Sequence, residues 1–230
     1  MINKISLVSR FTLAAVLLAT ATASQAAITV YTSLASFSAA ISAAGTDDFT
    51  GLSISGQTPS PTTRTTNSGV AYKYEVDAGP VDRALYGAGT TANPSLSINR
   101  ATDTLFLGSF ASGIVGVGGN FYGTNNAGAY VRGKIDVTVT DADGTFSQIV
   151  SSLSESIDSF YGFVSTTGIT SMTVASRNFA GQESDFTWPT VDNLVMGQQG
   201  ATAPIPEPST YALMLAGLGA LGVIARRRKA

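Results

Sequence analysis

The chain has 230 residues, no cysteine, no histidine and a formal net charge of −2 at pH 7. Without these two residue types it has no thiol nucleophile, no Ser-His-Asp triad, no usual zinc site and no disulfide bond. The two ends differ so much from the middle in charge and hydropathy that the order of the segments is the first guide to function.

Residues 1–26 have the pattern of a secretory signal peptide. Lys4 and Arg10 precede an apolar stretch at residues 11–19, which is too short for a permanent transmembrane helix. Residues 24–26 are the best small-x-small cleavage site, and residues 21–23 are a second choice. We therefore expect the chain to be exported and cut by signal peptidase.

The body between the two ends is acidic. Residues 27–203 contain seven basic and 14 acidic residues, a net charge of −7. That charge disfavours nucleic acid or an anionic membrane as a partner of the body. Residues 27–197 are long enough for one domain with its own core, and residues 198–203 read as a flexible linker.

The body is predicted to open with a short strand, residues 28–31, followed by one short helix. Ser33 is placed to cap this helix and Gly45 to end it. Between them, apolar residues recur at helical spacing: Leu34, Phe37, Ile41 and Ala44. We expect no other helix in the body.

The rest of the body is predicted to be β-structure. The expected strands are residues 69–76, 104–110, 114–122, 134–140, 145–150, 159–164, 169–175 and 191–196. Residues 141–144 form the turn of a hairpin, and the Pro/Thr/Ser-rich residues 55–68 are predicted to be an exposed loop. The fold class is therefore all-β, an antiparallel two-sheet sandwich of jelly-roll type.

Residues 204–230 form a tail of three parts. Pro206, Glu207 and Pro208 come first, and their prolines delay any helix until after them. An uncharged apolar run at residues 211–225 follows, predicted as a single transmembrane helix roughly 22 Å long, short of the roughly 30 Å bilayer core. The chain then has a basic end that should stay cytoplasmic: Arg226, Arg227, Arg228 and Lys229.

This order of tripeptide, apolar run and basic end resembles the PEP-CTERM sorting tail of exported bacterial proteins. The resemblance implies that exosortase, a membrane protease-transpeptidase of Gram-negative bacteria that make exopolysaccharide, processes the tail. It also implies a precursor anchored in the inner membrane and a mature protein at the cell surface or in the extracellular matrix. The tail indicates a destination and no chemical reaction.

The body also resembles a β-sandwich seen in many PEP-CTERM proteins. The matching stretches are residues 31–37 with 47–49, 117–121, 160–163, 169–174 and 188–194. What this resemblance implies is a shape, because no defined activity belongs to that body in general.

Four residues are candidates for a structural calcium site: Asp47, Asp48, Asp192 and Asn193. The first and last strands of a jelly roll often lie side by side, and oxygen ligands there can hold calcium. The alternative is that these residues cap turns. Asp141 and Asp143 imitate the start of an EF-hand loop, but Ser152 stands where that loop needs a bidentate glutamate, so a hairpin turn is favoured. No other cofactor is predicted.

Two kinds of carbohydrate chemistry remain open. Hydrolysis needs a pair of carboxylates, and the body has only three glutamates, Glu75, Glu155 and Glu183, near Asp77, Asp158 and Asp185. Solvated surface charge is the favoured explanation of all these residues. Aromatic side chains that could stack on sugar rings are Trp188, Tyr122, Tyr130 and Tyr86. We expect an exported, non-enzymatic protein that associates with exopolysaccharide; the alternative is a carboxylate-dependent polysaccharide hydrolase.

Overall fold

The computed structural model describes residues 28–152, 159–177 and 186–200, together with Gly217. The predicted signal peptide and, apart from Gly217, the tail lie outside the described residues. Among the residues described, no helix is long and apolar enough to cross a membrane. The transmembrane helix predicted for residues 211–225 lies outside them except for Gly217.

The described body contains one helix and sixteen strands. In chain order they are β1 Thr29–Tyr31, α1 Leu34–Ala40, β2 Ile41–Asp47, β3 Gln57–Pro59, β4 Thr62–Thr65, β5 Ser68–Gly69, β6 Lys73–Ala78, β7 Ala84–Thr90, β8 Asn93–Ile98, β9 Leu105–Gly108, β10 Ile114–Thr124, β11 Tyr130–Val131, β12 Gly133–Asp141, β13 Thr145–Ser152, β14 Phe160–Val164, β15 Ile169–Arg177 and β16 Trp188–Gln199.

The strands form two antiparallel sheets, so the predicted all-β, two-sheet class is confirmed. The larger sheet has the order β1-β14-β10-β16-β8-β7-β3, with β11 beside β10, β2 beside β16 and β5 beside β2. The smaller sheet has the order β13-β12-β15-β9-β6-β4. Their inner faces meet in one apolar cluster that includes Val117, Phe121 and Val191 from the larger sheet and Tyr74, Leu107 and Val137 from the smaller.

The strands with the clearest sequence patterns are found where they were predicted. In β12 alternate residues are buried throughout, as expected for a strand with one face on the core, and β12 pairs with β13 across the predicted turn. β10 is buried along its whole length. Its glycines permit this crowding, since a Cβ on Gly118 would lie 2.8 Å from the Cα of Gly162 on β14.

The predicted helix is present but shorter than expected. The Ser33 side chain accepts a hydrogen bond from the backbone N–H of Ser36, so the predicted N-cap is confirmed. The helix ends at Ala40 and not at Gly45, because Ile41 turns to extended backbone and begins β2, which pairs with the end of β16. Gly45 lies inside β2, where a Cβ would stand 2.0 Å from the carbonyl oxygen of Val70.

The prediction that residues 55–68 form an exposed loop is wrong. This segment contains β3, which pairs with β7, and β4, which pairs with β6. Its polar composition reflects its place at the edges of the two sheets, where one flank of each strand faces solvent.

Other strand boundaries also differ from those predicted. The strand expected from residue 69 begins at Lys73, and Val70 is exposed. β7 and β8 were not predicted, and β16 runs to Gln199, two residues into the segment expected to be a linker.

Candidate functional site

Two of the four aromatic residues singled out from the sequence, Tyr86 and Trp188, line one cleft on the larger sheet. Tyr86 lies on β7 and Trp188 starts β16, and β8 runs between these two strands. The cleft has a volume of about 130 Å³, and its other lining residues are Ser97, Ile98, Asn99, Thr124, Asn125 and Asn126. Two aromatic rings are thus combined with side-chain amides and hydroxyls, a set that can stack on a ring and hydrogen-bond to its substituents.

Hydrogen bonds hold the indole of Trp188 in place. Its Nε1–H donates to the backbone carbonyl oxygen of Asn99 at 3.1 Å. The Asn99 side chain is fixed in turn, because its Oδ1 accepts from Gln57 Nε2 at 2.8 Å and its Nδ2 donates to Asp82. The indole therefore has a defined orientation without a ligand, which lowers the entropy lost when a ligand stacks on it.

The loop that follows β10 forms the second wall of the cleft. Asn125 Oδ1 accepts from the backbone N–H groups of Ala127 and Ala129, each at 3.0 Å. Gly128 has φ +76°, and a Cβ there would stand 3.1 Å from the Cα of Ala88 and 3.3 Å from the ring of Tyr86. The close approach of this loop to Tyr86 therefore depends on glycine.

The other two aromatic candidates pack on each other. The rings of Tyr122 and Tyr130 meet edge to face, with centroids 6.1 Å apart. Tyr122 is only 2% exposed, so its ring packs inside the protein, whereas Tyr130 is half-buried. Tyr130 pairs with Thr124, a lining residue, and thus borders the cleft.

The four calcium candidates fall into three hydrogen-bonding groups: Asp47, Asp48, and the pair of Asp192 and Asn193. β2 and β16 are neighbours, with Asp47 opposite Leu194. The Asp47 carboxylate accepts from Arg64, Tyr74 and the Phe49 backbone, whereas Asp48 accepts from Asn67 and the Thr50 backbone.

Asp192 accepts from Asn93 and Asn193. The part of the chain that the structure describes holds no group of three or more acidic, histidine or cysteine side chains placed to bind a metal. An ion at Asp47 would have to displace Arg64, and the calcium site stays a prediction.

The ion pair of Asp47 and Arg64 links the two sheets. Asp47 is fully buried on β2, and Arg64 on β4 reaches it with two hydrogen bonds of 2.8 Å. Burial alone would lower the pKa of Arg64, but its hydrogen bonds and charge interaction with Asp47 raise the pKa above its usual value. Burial and the nearby charge of Asp47 also raise the pKa of Tyr74 well above its usual value. The Tyr74 hydroxyl donates a hydrogen bond to Asp47 Oδ2 at 2.7 Å.

The carboxylates considered for hydrolysis are placed as follows. Glu75 and Asp77 lie two residues apart on β6. Asp77 accepts from Ser60 and pairs with Arg83 at 3.2 Å. The remaining candidates, Glu155, Asp158, Glu183 and Asp185, lie outside the described residues.

Asp141 acts as the turn residue that the sequence predicts. Its Oδ1 accepts from the backbone N–H groups of Asp143 and Gly144, and its Oδ2 accepts from Ser165 Oγ at 2.7 Å. Burial alone would raise the pKa of Asp141, but these hydrogen bonds outweigh it and lower the pKa below its usual value.

Fold and cleft together define a β-sandwich protein with a shallow aromatic and amide-lined surface site. Residues 204–229 match the PEP-CTERM protein-sorting motif, so the sorting tail inferred from the sequence is confirmed. The motif implies an exported protein whose membrane-anchored precursor is sorted by exosortase. No curated protein matches the chain.

Proposed function

We propose that this protein is a non-enzymatic component of the cell surface or extracellular matrix of a Gram-negative bacterium, and that its sandwich binds exopolysaccharide in the cleft of Tyr86 and Trp188. Signal peptidase removes residues 1–26, and exosortase acts on the tail. The observation that carries the binding proposal is the meeting of two aromatic rings, one fixed by a hydrogen bond, with five amide and hydroxyl side chains.

The size of the cleft favours a polymer over a small enclosed ligand. Pockets that enclose drug-sized molecules usually have roughly 300–1,000 Å³, and this cleft has about 130 Å³. The cleft accommodates part of one sugar unit while the rest of the polysaccharide runs over the surface of the protein. Affinity then comes from several weak contacts along a repeating polymer, which suits a matrix protein that needs no single tight site.

Co-sedimentation of the purified protein with the exopolysaccharide of its own host tests the proposal. A good aromatic contact contributes about 1 kcal/mol, so Trp188→Ala and Tyr86→Ala should each weaken binding about fivefold. Phe106→Ala, which removes a half-buried aromatic from the smaller sheet, is the matched control and should leave binding unchanged.

The same incubation tests the hydrolase alternative. We expect no release of oligosaccharides, whether or not the protein sediments with the polymer. Release that is abolished by Glu75→Gln, Glu155→Gln or Glu183→Gln would replace the binding proposal with a hydrolase. Equal binding by native protein and both aromatic variants would show that the cleft of Tyr86 and Trp188 does not bind the polysaccharide.

A further inference from the structure

A second and larger concavity lies on the same sheet, beside α1. It has a volume of about 700 Å³, within the range of small-molecule sites, and it shares no lining residue with the cleft of Tyr86 and Trp188. We call it the outer groove. Its polar residues include Asn93, Asp192 and Asn193, and its apolar residues include Leu34, Phe160 and Val195.

A β-bulge brings two consecutive polar side chains into the outer groove. In a regular strand Asp192 and Asn193 would face opposite sides of the sheet. The register of β16 with β10 shifts between Gly118 and Asn120, and Asn193 has φ +50°, a left-handed conformation that asparagine adopts more readily than most residues with a side chain. As a result both residues line the groove.

Asp192 orients two amide groups at this end of the groove. Its Oδ2 accepts from Asn93 Nδ2 at 3.3 Å and from Asn193 Nδ2 at 3.0 Å, and its Oδ1 accepts from the Asn193 backbone N–H at 2.8 Å. Because each amide nitrogen donates to Asp192, the amide oxygen is the atom left to accept from a ligand. The second hydrogen of each amide nitrogen can still donate, so hydroxyl groups, which both donate and accept, suit these two amides. The negative charge of Asp192, which is 2% exposed, disfavours an anion.

We propose that the outer groove binds a neutral glycoside that carries an apolar substituent. Hydroxyl groups of the sugar donate to the amide oxygens of Asn93 and Asn193. The apolar substituent lies against Leu34, Phe160 and Val195. This site is independent of the exopolysaccharide cleft, because no residue is common to both.

Calorimetric titration of the full-length protein with hexyl β-D-glucopyranoside tests the proposal. We expect saturable one-to-one binding, at least about tenfold weaker binding of glucose, which lacks the apolar chain, and no binding of hexyl sulfate, which has the same chain and an anionic head. Asp192→Asn should weaken binding of the glucoside about tenfold, since the amides of Asn93 and Asn193 lose the charged acceptor that orients them. The same substitution should remove the discrimination against hexyl sulfate.

Two further variants separate a specific site from general detergent binding. Leu34 is 40% exposed, so Leu34→Ser should keep the fold and weaken the glucoside about threefold through lost apolar contact. Val81 is 61% exposed and lies outside the groove, so Val81→Ser should leave glucoside binding unchanged. Unsaturable binding, equal affinity in native protein and Leu34→Ser, or native binding of the sulfate as tight as that of the glucoside would overturn the proposal.

Discussion

Replacing Arg64 with methionine should destabilise the sandwich severely. Asp47 is fully buried, and Arg64 is the cation that neutralises it across the gap between the two sheets. Methionine keeps much of the apolar stem of arginine but removes the charge, the two hydrogen bonds of 2.8 Å and the packing of the guanidinium 5.2 Å above the Phe49 ring. The carboxylate of Asp47 would then be buried without its counter-ion.

Breaking a buried ion pair from one side typically costs about 3–5 kcal/mol. In a domain of this size each 1 kcal/mol lowers the melting temperature by about 2–4 °C, so a fall of roughly 6–20 °C is expected. Arg83→Met is the matched control, because the Arg83 side chain is 57% exposed in its 3.2 Å pair with Asp77. An exposed pair of that kind contributes about 1 kcal/mol at most.

Chemical denaturation of native protein and both variants, followed by far-ultraviolet circular dichroism, gives the three free energies of unfolding and hence the loss caused by each substitution. The expected ordering is a loss for Arg64→Met several times that for Arg83→Met, with the denaturant slope unchanged. Equal losses in the two variants, or a loss below about 1 kcal/mol for Arg64→Met, would refute the assignment of this pair as the link between the sheets.

Three further predictions concern pH, metal and processing. Hydrogen bonds from Asn67 and the Thr50 backbone lower the pKa of Asp48, and those described above lower the pKa of Asp141. Both carboxylates therefore stabilise the fold above their unfolded pKa of about 4, and this stability should be lost as the pH falls through their lower folded pKa values. In that acidic range the melting temperature of Asp141→Asn should depend less on pH than that of the native protein. Chelator should leave the melting temperature unchanged, because the carboxylates proposed for calcium have separate partners; a fall that Asp192→Ala abolishes would establish an ion there. In a host with exosortase the mature protein should lack the tail beyond residues 206–208 by intact mass, and retention of residues 204–230 would contradict that processing.

Strand periodicity was the most reliable sequence signal for the fold. Ile135, Val137 and Val139 alternate with polar residues, and this alternation holds only if one face of β12 lies on the core. β7 and β8 lack such a signal, since serines and glycines such as Ser97 and Gly87 occupy places where large apolar residues would reveal the period. The helix boundary was missed because the spacing of Ile41 fits a helix as well as a strand.

The cleft could be predicted only in part. Aromatic chemistry pointed to Tyr86 and Trp188, but their meeting depends on the order of β7, β8 and β16, which no local pattern specifies. Asn99 and Asn125 were missed because an amide in a turn is usual, and only the fold shows which turns border an aromatic ring. The role of Arg64 was hidden for a similar reason, because its partner lies 17 residues earlier on another sheet.

Trp188 is the single tryptophan of the chain, so its fluorescence reports directly on the proposed cleft. Titration of the native protein with host exopolysaccharide should shift or quench this emission in a saturable way, at the concentrations that give co-sedimentation. Tyr86→Ala should move the titration to about fivefold higher polysaccharide. Co-sedimentation with no change in Trp188 emission would contradict the account, because the polymer would then bind away from the cleft.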